Sequence, residues 1–321
     1  MSRIHEALKK AEQQRAEQLG GYPPAEELVQ NPTPMPASAS APAGESAPVE
    51  SSAPASAPAA GRVAAPAMGE PFSYETLLAN CAPSSWKPDL KTMLFFNPDE
   101  QTFGAEEFRT LRSRLYQMRD VQPLKKLLVT SSLPKEGKTF VSANLAQVMV
   151  QQHGRRALLI DADLRGARLH EALGTTSEPG VAEYLQGGVS EFSILQRGPV
   201  ENLFFIPSGA AVSKPAELVA NGRLRLLLNR LEPLFDWIVI DSPPAVPVSD
   251  ASLLANYVDG VLIVVRSNAT PFDAARRAGQ EFAGKNIVGM VLNGISASSS
   301  PYKQQYYATY GRRKPSSNGQ G

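Results

Sequence analysis

Ser132-Leu-Pro-Lys-Glu-Gly-Lys-Thr139 sits between an apolar run and a helical pattern, and that order of residue types suits a phosphate group. A helix start offers free backbone N–H groups and the positive end of the helix dipole. Gly137 lets the backbone approach closely, Lys138 is long enough to reach the β- and γ-phosphates of a nucleotide, and the Thr139 hydroxyl is a ligand for Mg²⁺. The expected binding loop therefore comprises Ser132, Leu133, Pro134, Lys135, Glu136, Gly137, Lys138, Thr139 and Phe140, with Ser132 where the simplest form of such a loop has glycine.

Acidic residues follow at two places. Leu158-Leu-Ile-Asp-Ala-Asp-Leu-Arg165 carries Asp161 and Asp163 at the end of an apolar run, and Trp237-Ile-Val-Ile-Asp-Ser-Pro-Pro244 carries Asp241 at the end of another. Ligands of open α/β sheets bind at the carboxyl ends of the strands. A single carboxylate there is as readily a solvated or helix-capping group, but three of them with a Gly-Lys-Thr loop make a convergent metal and phosphate site. Asp241 is expected to hold Mg²⁺ directly or through water, with Thr139 and Asp163 as further metal ligands. Lys138, Asp161, Asp163 and Asp241 are the catalytic candidates, Asp161 being the first choice to orient or deprotonate an attacking hydroxyl. The loop alone does not say whether that hydroxyl belongs to water or to a tyrosine.

Such a site needs strands to carry the acids and a helix to follow the loop. Lys126–Thr130, Ala157–Asp161, Leu203–Ile206, Trp237–Asp241, Val261–Val265 and Ile287–Leu292 are short apolar runs separated by helical patterns at Glu106–Met118, Thr139–Gln152 and Pro215–Leu231. Continuous apolar strands alternating with helices predict a doubly wound, mostly parallel α/β sheet of the P-loop type, covered on both faces. The catalytic domain is expected over residues 97–296, after a connecting segment at 72–96. Residues 21–71, rich in Pro, Ala and Ser, read as a disordered linker, and 297–321 as a flexible tyrosine-rich tail. Ile4, Ala7, Leu8 and Ala11 recur at helical spacing, so residues 1–20 read as a short amphipathic helix.

A net charge of +1 on 321 residues supplies no field for nucleic acid, and none is expected as a partner. One cysteine, Cys81, fits a reducing compartment and excludes an internal disulfide framework. No run approaches the roughly 18 apolar residues of a membrane span, so the expectation is a cytoplasmic protein. His5, His153 and His170 are too scattered for a zinc site. Tyr302, Tyr306, Tyr307 and Tyr310 crowd the polar C-terminal segment, where no core needs them.

Taken in order, the loop at 132–139, the acidic run at 159–165 and the run at 238–244 resemble the bacterial tyrosine kinases of capsule and exopolysaccharide systems, the BY-kinases. In that family these segments are the Walker A, A′ and B motifs. The resemblance extends to Glu106-Glu-Phe-Arg-Thr-Leu-Arg112, similar to a family helix that joins subunits in a ring, which implies an oligomer interface at Glu106, Arg109 and Arg112. It ends with the four tail tyrosines, which it implies are phosphoacceptors. It further implies ATP and Mg²⁺ as cofactors, an adenine contact at Asn293 (a residue equally suited to a turn), and a role in polysaccharide chain length, polymerisation or export. The opening Met1-Ser-Arg-Ile-His-Glu-Ala-Leu-Lys-Lys10 is similar to separate-chain members. Their implied partner is a chain-length-determining membrane protein that activates the kinase and brings it to the inner face of the membrane, this contact being the kinase's sole link to the bilayer.

A scaffold or positioning ATPase of the MinD and ParA type would use the same phosphate site. That branch carries a lysine five residues before the loop lysine, where this chain has Leu133. The tail tyrosines and Leu133 both favour the kinase.

Overall fold

A computed structural model describes residues 73–81, 83–96 and 104–295. The expected N-terminal helix, the linker and the tyrosine tail lie outside these residues, as does His5.

The elements in chain order are α1 (Tyr74–Asn80), α2 (Ala105–Arg119), β1 (Lys126–Ser131), α3 (Lys138–Val150), β2 (Ala157–Asp161), α4 (Leu169–Leu173), α5 (Val181–Gln186), α6 (Glu191–Ile194), β3 (Gln196–Arg197), β4 (Leu203–Ile206), α7 (Pro215–Ala220), α8 (Arg223–Leu231), a 3₁₀ turn (Glu232–Leu234), β5 (Trp237–Asp241), α9 (Asp250–Leu254), β6 (Gly260–Arg266), α10 (Phe272–Glu281) and β7 (Ile287–Asn293). The strands form one sheet in the order β3-β4-β2-β5-β1-β6-β7. All neighbours are parallel except β3, which runs antiparallel to β4. The doubly wound parallel sheet expected from the apolar runs is the observed one.

Alternate residues of each strand serve opposite faces. Leu128, Leu158, Ile160, Ile238, Ile240 and Ile263 face one core, closed by Val181, Leu185, Leu224, Leu228 and Leu254. Leu127, Val129, Leu159, Trp237, Val239 and Leu262 face the other, closed by Phe108, Leu115, Val141, Leu145 and Met149. Helix α3 is buried from Val141 to Met149 because the sheet takes one side of it and α2 packs against it. Burying one such aliphatic side chain is worth about 1.5–3 kcal/mol.

Two expectations change. The helix predicted over Pro215–Leu231 is two helices, since Gly222 adopts a left-handed conformation with φ +83° between α7 and α8. The last strand, expected to be covered on both faces, leaves Met290 and Leu292 about half exposed, and it pairs only with β6 among the described strands. Helix α1, capped by the Ser73 hydroxyl accepting from Thr76 N–H at 3.1 Å, lies in the segment read only as a connector.

Candidate functional site

The loop from Ser132 to Gly137 links the carboxyl end of β1 to α3. Gly137 has φ +96°, so the backbone demands glycine, and a Cβ there would stand 2.0 Å from Asn293 Nδ2 and displace that side chain. Lys135 also lies in the left-handed region at φ +66°. Ser132 is fully buried, and its hydroxyl has no hydrogen-bond partner among the described residues. Leu133 N–H donates to Glu136 Oε2 at 2.8 Å, which folds the loop back on itself around Pro134. The ring of Phe140 stacks edge-on against Phe108 at 5.7 Å, which leaves its backbone rather than its side chain for a nucleotide.

The three carboxylates do gather at this loop. Adjacent strands β2 and β5 place Asp161 opposite Asp241 in register. By strand alternation both share the face of Leu159 and Val239, the face on which α3 begins. Thr139 Oγ1 donates to Asp241 Oδ2 at 2.7 Å, and Ser142 Oγ donates to Asp241 Oδ1 at 2.9 Å. Lys138 Nζ donates to Asp163 Oδ2 at 2.8 Å, while Asp163 Oδ1 accepts from the N–H groups of Arg165 and Gly166 at 3.3 and 3.0 Å. Asp161 sits deeper: its oxygens accept from Asp163 N–H and Leu169 N–H, each at 3.2 Å, and it is fully buried.

Burial, reinforced by the charge of Asp241, pushes the Asp161 carboxyl up to about 8. Burial raises Asp241 as well, against the opposing pull of Lys138 and the two hydroxyls. Burial works against the Lys138 ammonium, yet Asp241 and Asp163 hold its pKa above the ordinary lysine value. Buried acids outnumber the one ammonium here, and a divalent cation would relieve the cost of ionising them. Among the described residues no three acidic, thiol or imidazole side chains form a complete metal cage. The donors present, a hydroxyl and carboxylates, are hard oxygen ligands that suit Mg²⁺ sharing its coordination with phosphate and water.

Other expected residues fall out differently. Asn293 Nδ2 donates to the Glu136 carbonyl at 2.9 Å and its Oδ1 accepts from Gly294 N–H at 2.8 Å, so the side chain both makes a turn and touches the phosphate loop. On α2, Glu106 and Arg109 pair with each other. Arg112 donates from Nη1 to the Val148 carbonyl at 2.8 Å, near the end of α3. Tyr302, Tyr306, Tyr307 and Tyr310 lie outside the described residues.

Sequence reasoning missed several contributors. Ser142 stands one helical turn beyond Thr139, a spacing that could have revealed it. Arg165 makes a two-pronged ion pair with Asp250, at 2.7 and 3.0 Å, binding the segment after β2 to α9. Thr270, whose hydroxyl meets Glu136 Oε1, is 134 residues from its partner and gave no sequence signal.

A protein-family model described as an AAA domain matches residues 135–275. Over 217 residues the chain is 30% identical to the tyrosine-protein kinase YwqD of Bacillus subtilis, a match covering 67% of this chain and 90% of that one. A putative tyrosine-protein kinase in the cps region of Klebsiella pneumoniae is 36% identical over 172 residues, which is 53% of this chain and 24% of its own length. The chain likewise spans 28% to 31% of six further relatives with tyrosine-protein kinase names. Among solved structures, the kinase domain of the Escherichia coli tyrosine kinase ETK superposes with a TM-score of 0.60 at 32% identity, covering 64% of this chain and 82% of that one.

Proposed function

The chain belongs to the bacterial tyrosine-kinase family, and from that premise we propose that it transfers the γ-phosphoryl group of ATP to tyrosine hydroxyls, foremost those of its own tail. The observation that carries this reading is the pairing of Lys138 with Asp163 and of Thr139 with Asp241 at one rim of the sheet. These are the groups a magnesium triphosphate requires within reach of one loop.

Thr139 and Asp241 would hold Mg²⁺, with Ser142 fixing the second oxygen of Asp241. Held there with ATP, the ion would supply neutralising charge for the phosphate oxygens. With nucleotide bound, Lys138 would exchange Asp163 for phosphate oxygens, which would bring its ammonium to where charge gathers in the transition state. Asp163 is thereby freed at Oδ2 while backbone N–H groups still hold Oδ1, so it is aimed to orient an incoming phenol and accept its proton. This moves the base from Asp161, whose two oxygens are engaged and sealed from solvent. Asp161 instead fixes the backbone of Asp163 and the start of α4.

The finer reading is a separate-chain member working beside a membrane activator in chain-length control, polymerisation or export of a surface polysaccharide. No helix among the described residues is long and apolar enough to cross a membrane. The activator would recruit the kinase to the inner face of the membrane and promote nucleotide binding. Glu106 and Arg109, with the stem of Arg112, would meet a neighbouring subunit of a ring. Tails carrying Tyr302, Tyr306, Tyr307 and Tyr310 would enter adjacent sites, and the negative charge of phosphorylation would drive them apart.

The test is incubation of the purified chain with Mg-ATP, with and without the cytoplasmic segment of the activator, followed by phosphotyrosine detection. The expected result is a signal that disappears when all four tail tyrosines are changed to Phe. ATP hydrolysis without phosphotyrosine in the activator's presence would replace the kinase by a nucleotide-gated scaffold.

A further inference from the structure

A carboxylate inside an anion-binding loop opposes the ligand, and burying it is costly unless donors compensate. Glu136 is such a group, only 4% exposed. We propose that Glu136 is a positioning residue whose carboxylate ties the phosphate loop to the segment after β6, and thereby sets how firmly the loop grips its nucleotide. This rests on the reading of the loop as a nucleotide site.

Both carboxylate oxygens are committed within the protein. Oε2 accepts from Leu133 N–H at 2.8 Å, closing the loop, and Oε1 accepts from the Thr270 hydroxyl. Thr270 Oγ1 itself accepts from Arg266 N–H at 2.8 Å, so its own proton is directed to Glu136. Two further contacts arrive from the same side: Asn293 Nδ2 to the Glu136 carbonyl at 2.9 Å, and Arg266 Nη1 to the Lys135 carbonyl at 3.3 Å. These contacts brace the one stretch of the loop whose backbone resists ordering, since Lys135 holds a positive φ without being glycine. The residues that contact Lys135 and Glu136 therefore come from the ends of β6 and β7, not from α3. A loop released from them would have to be ordered by the nucleotide, at a cost in affinity. Glu136 acts on phosphate through the loop's shape and not by touching it.

The experiment measures the dissociation constant of a fluorescent ADP analogue with Mg²⁺ on the full chain, together with KM for ATP and kcat. For Glu136→Ala we expect binding weaker by roughly tenfold and KM raised in parallel, the loss expected for a charge-assisted hydrogen-bond pair, with kcat at saturation within about threefold. Glu136→Gln, whose amide can accept from Leu133 and donate to Thr270, should stay within about threefold of the unaltered chain. Thr270→Val should weaken binding by about threefold and Thr270→Ser should not. If Glu136→Ala unfolds the chain, Thr270→Val carries the test. Unchanged affinity in a folded Glu136→Ala or Thr270→Val overturns the brace. So does Glu136→Gln binding as weakly as Glu136→Ala, which would mean that charge and not tethering matters. Failure of the unaltered chain to bind the analogue sinks the nucleotide reading itself, whereas binding that ignores these substitutions sinks the brace alone.

Discussion

Strands β2 and β5 at the middle of the sheet and β7 at its edge are all short, mainly apolar runs, yet they live under different constraints. Every residue of β2 and β5 is buried, and the acids that end them are forced to find partners: Asp241 takes two hydroxyls and Asp161 two backbone N–H groups. β7 leaves Met290 52% and Leu292 53% exposed, and it ends in Asn293, a neutral residue that reaches sideways to the loop. An apolar run announces a strand. Its neighbours decide whether the strand supplies stability or an accessible margin, and burial between the central strands raises Asp161 and Asp241.

The comparison is broken most severely at its centre. Lys138→Met removes the cation that answers three carboxylates, and phosphotyrosine formation should fall by about 10³-fold or more in the activated protein, measured by immunodetection. Next, Ile240→Ala in β5 should cost about 3 kcal/mol in urea unfolding, whereas Leu292→Ala in β7 should cost under about 1 kcal/mol. Equal costs would mean that β7 is covered in solution. Arg165→Ala leaves Asp250, which is 2% exposed, without its ion partner. Because the Arg165 side chain is itself 42% exposed and solvent screened, the expected loss is about 2 kcal/mol, less than for a fully buried pair.

A further effect concerns pH. Asp161 titrates near 3.8 when unfolded and at about 8 when folded, so the folded chain holds this proton more tightly. Its contribution is fully present below pH 3.8 and is lost as pH rises to about 8. Asp161→Asn should therefore flatten the decline in nucleotide-free stability between pH 5 and 8, as read from paired urea titrations. A decline of unchanged steepness would show that Asp161 does not hold that proton.

Most of the sheet was legible because its signals are local. Ala157–Asp161, Leu203–Ile206 and Trp237–Asp241 needed nothing beyond continuous apolar runs ending at turn residues. The loop and its acids were legible for the same reason, since Gly137, Lys138 and Thr139 are contiguous. What could not be read depends on pairs distant in sequence. Nothing near Glu136 announces Thr270, and nothing near Arg165 announces Asp250. The carbonyl of Val148, brought alongside by helix packing, takes an N–H of Arg112, a contact that nothing near Arg112 in the sequence announces. β3 is two residues long and has no pattern to detect.

Alignment of β2 against β5 carries a consequence for how the molecule comes to be assembled. Alternation along a strand means that a slip of a single position would send one of Asp161 and Asp241 into the opposite oily layer. On the proposed function, a metal-bound triphosphate that needs Asp241 beside Thr139 would bind only the correctly threaded chain, and mass action would favour that alignment. The substrate would then favour the one strand alignment that can bind it.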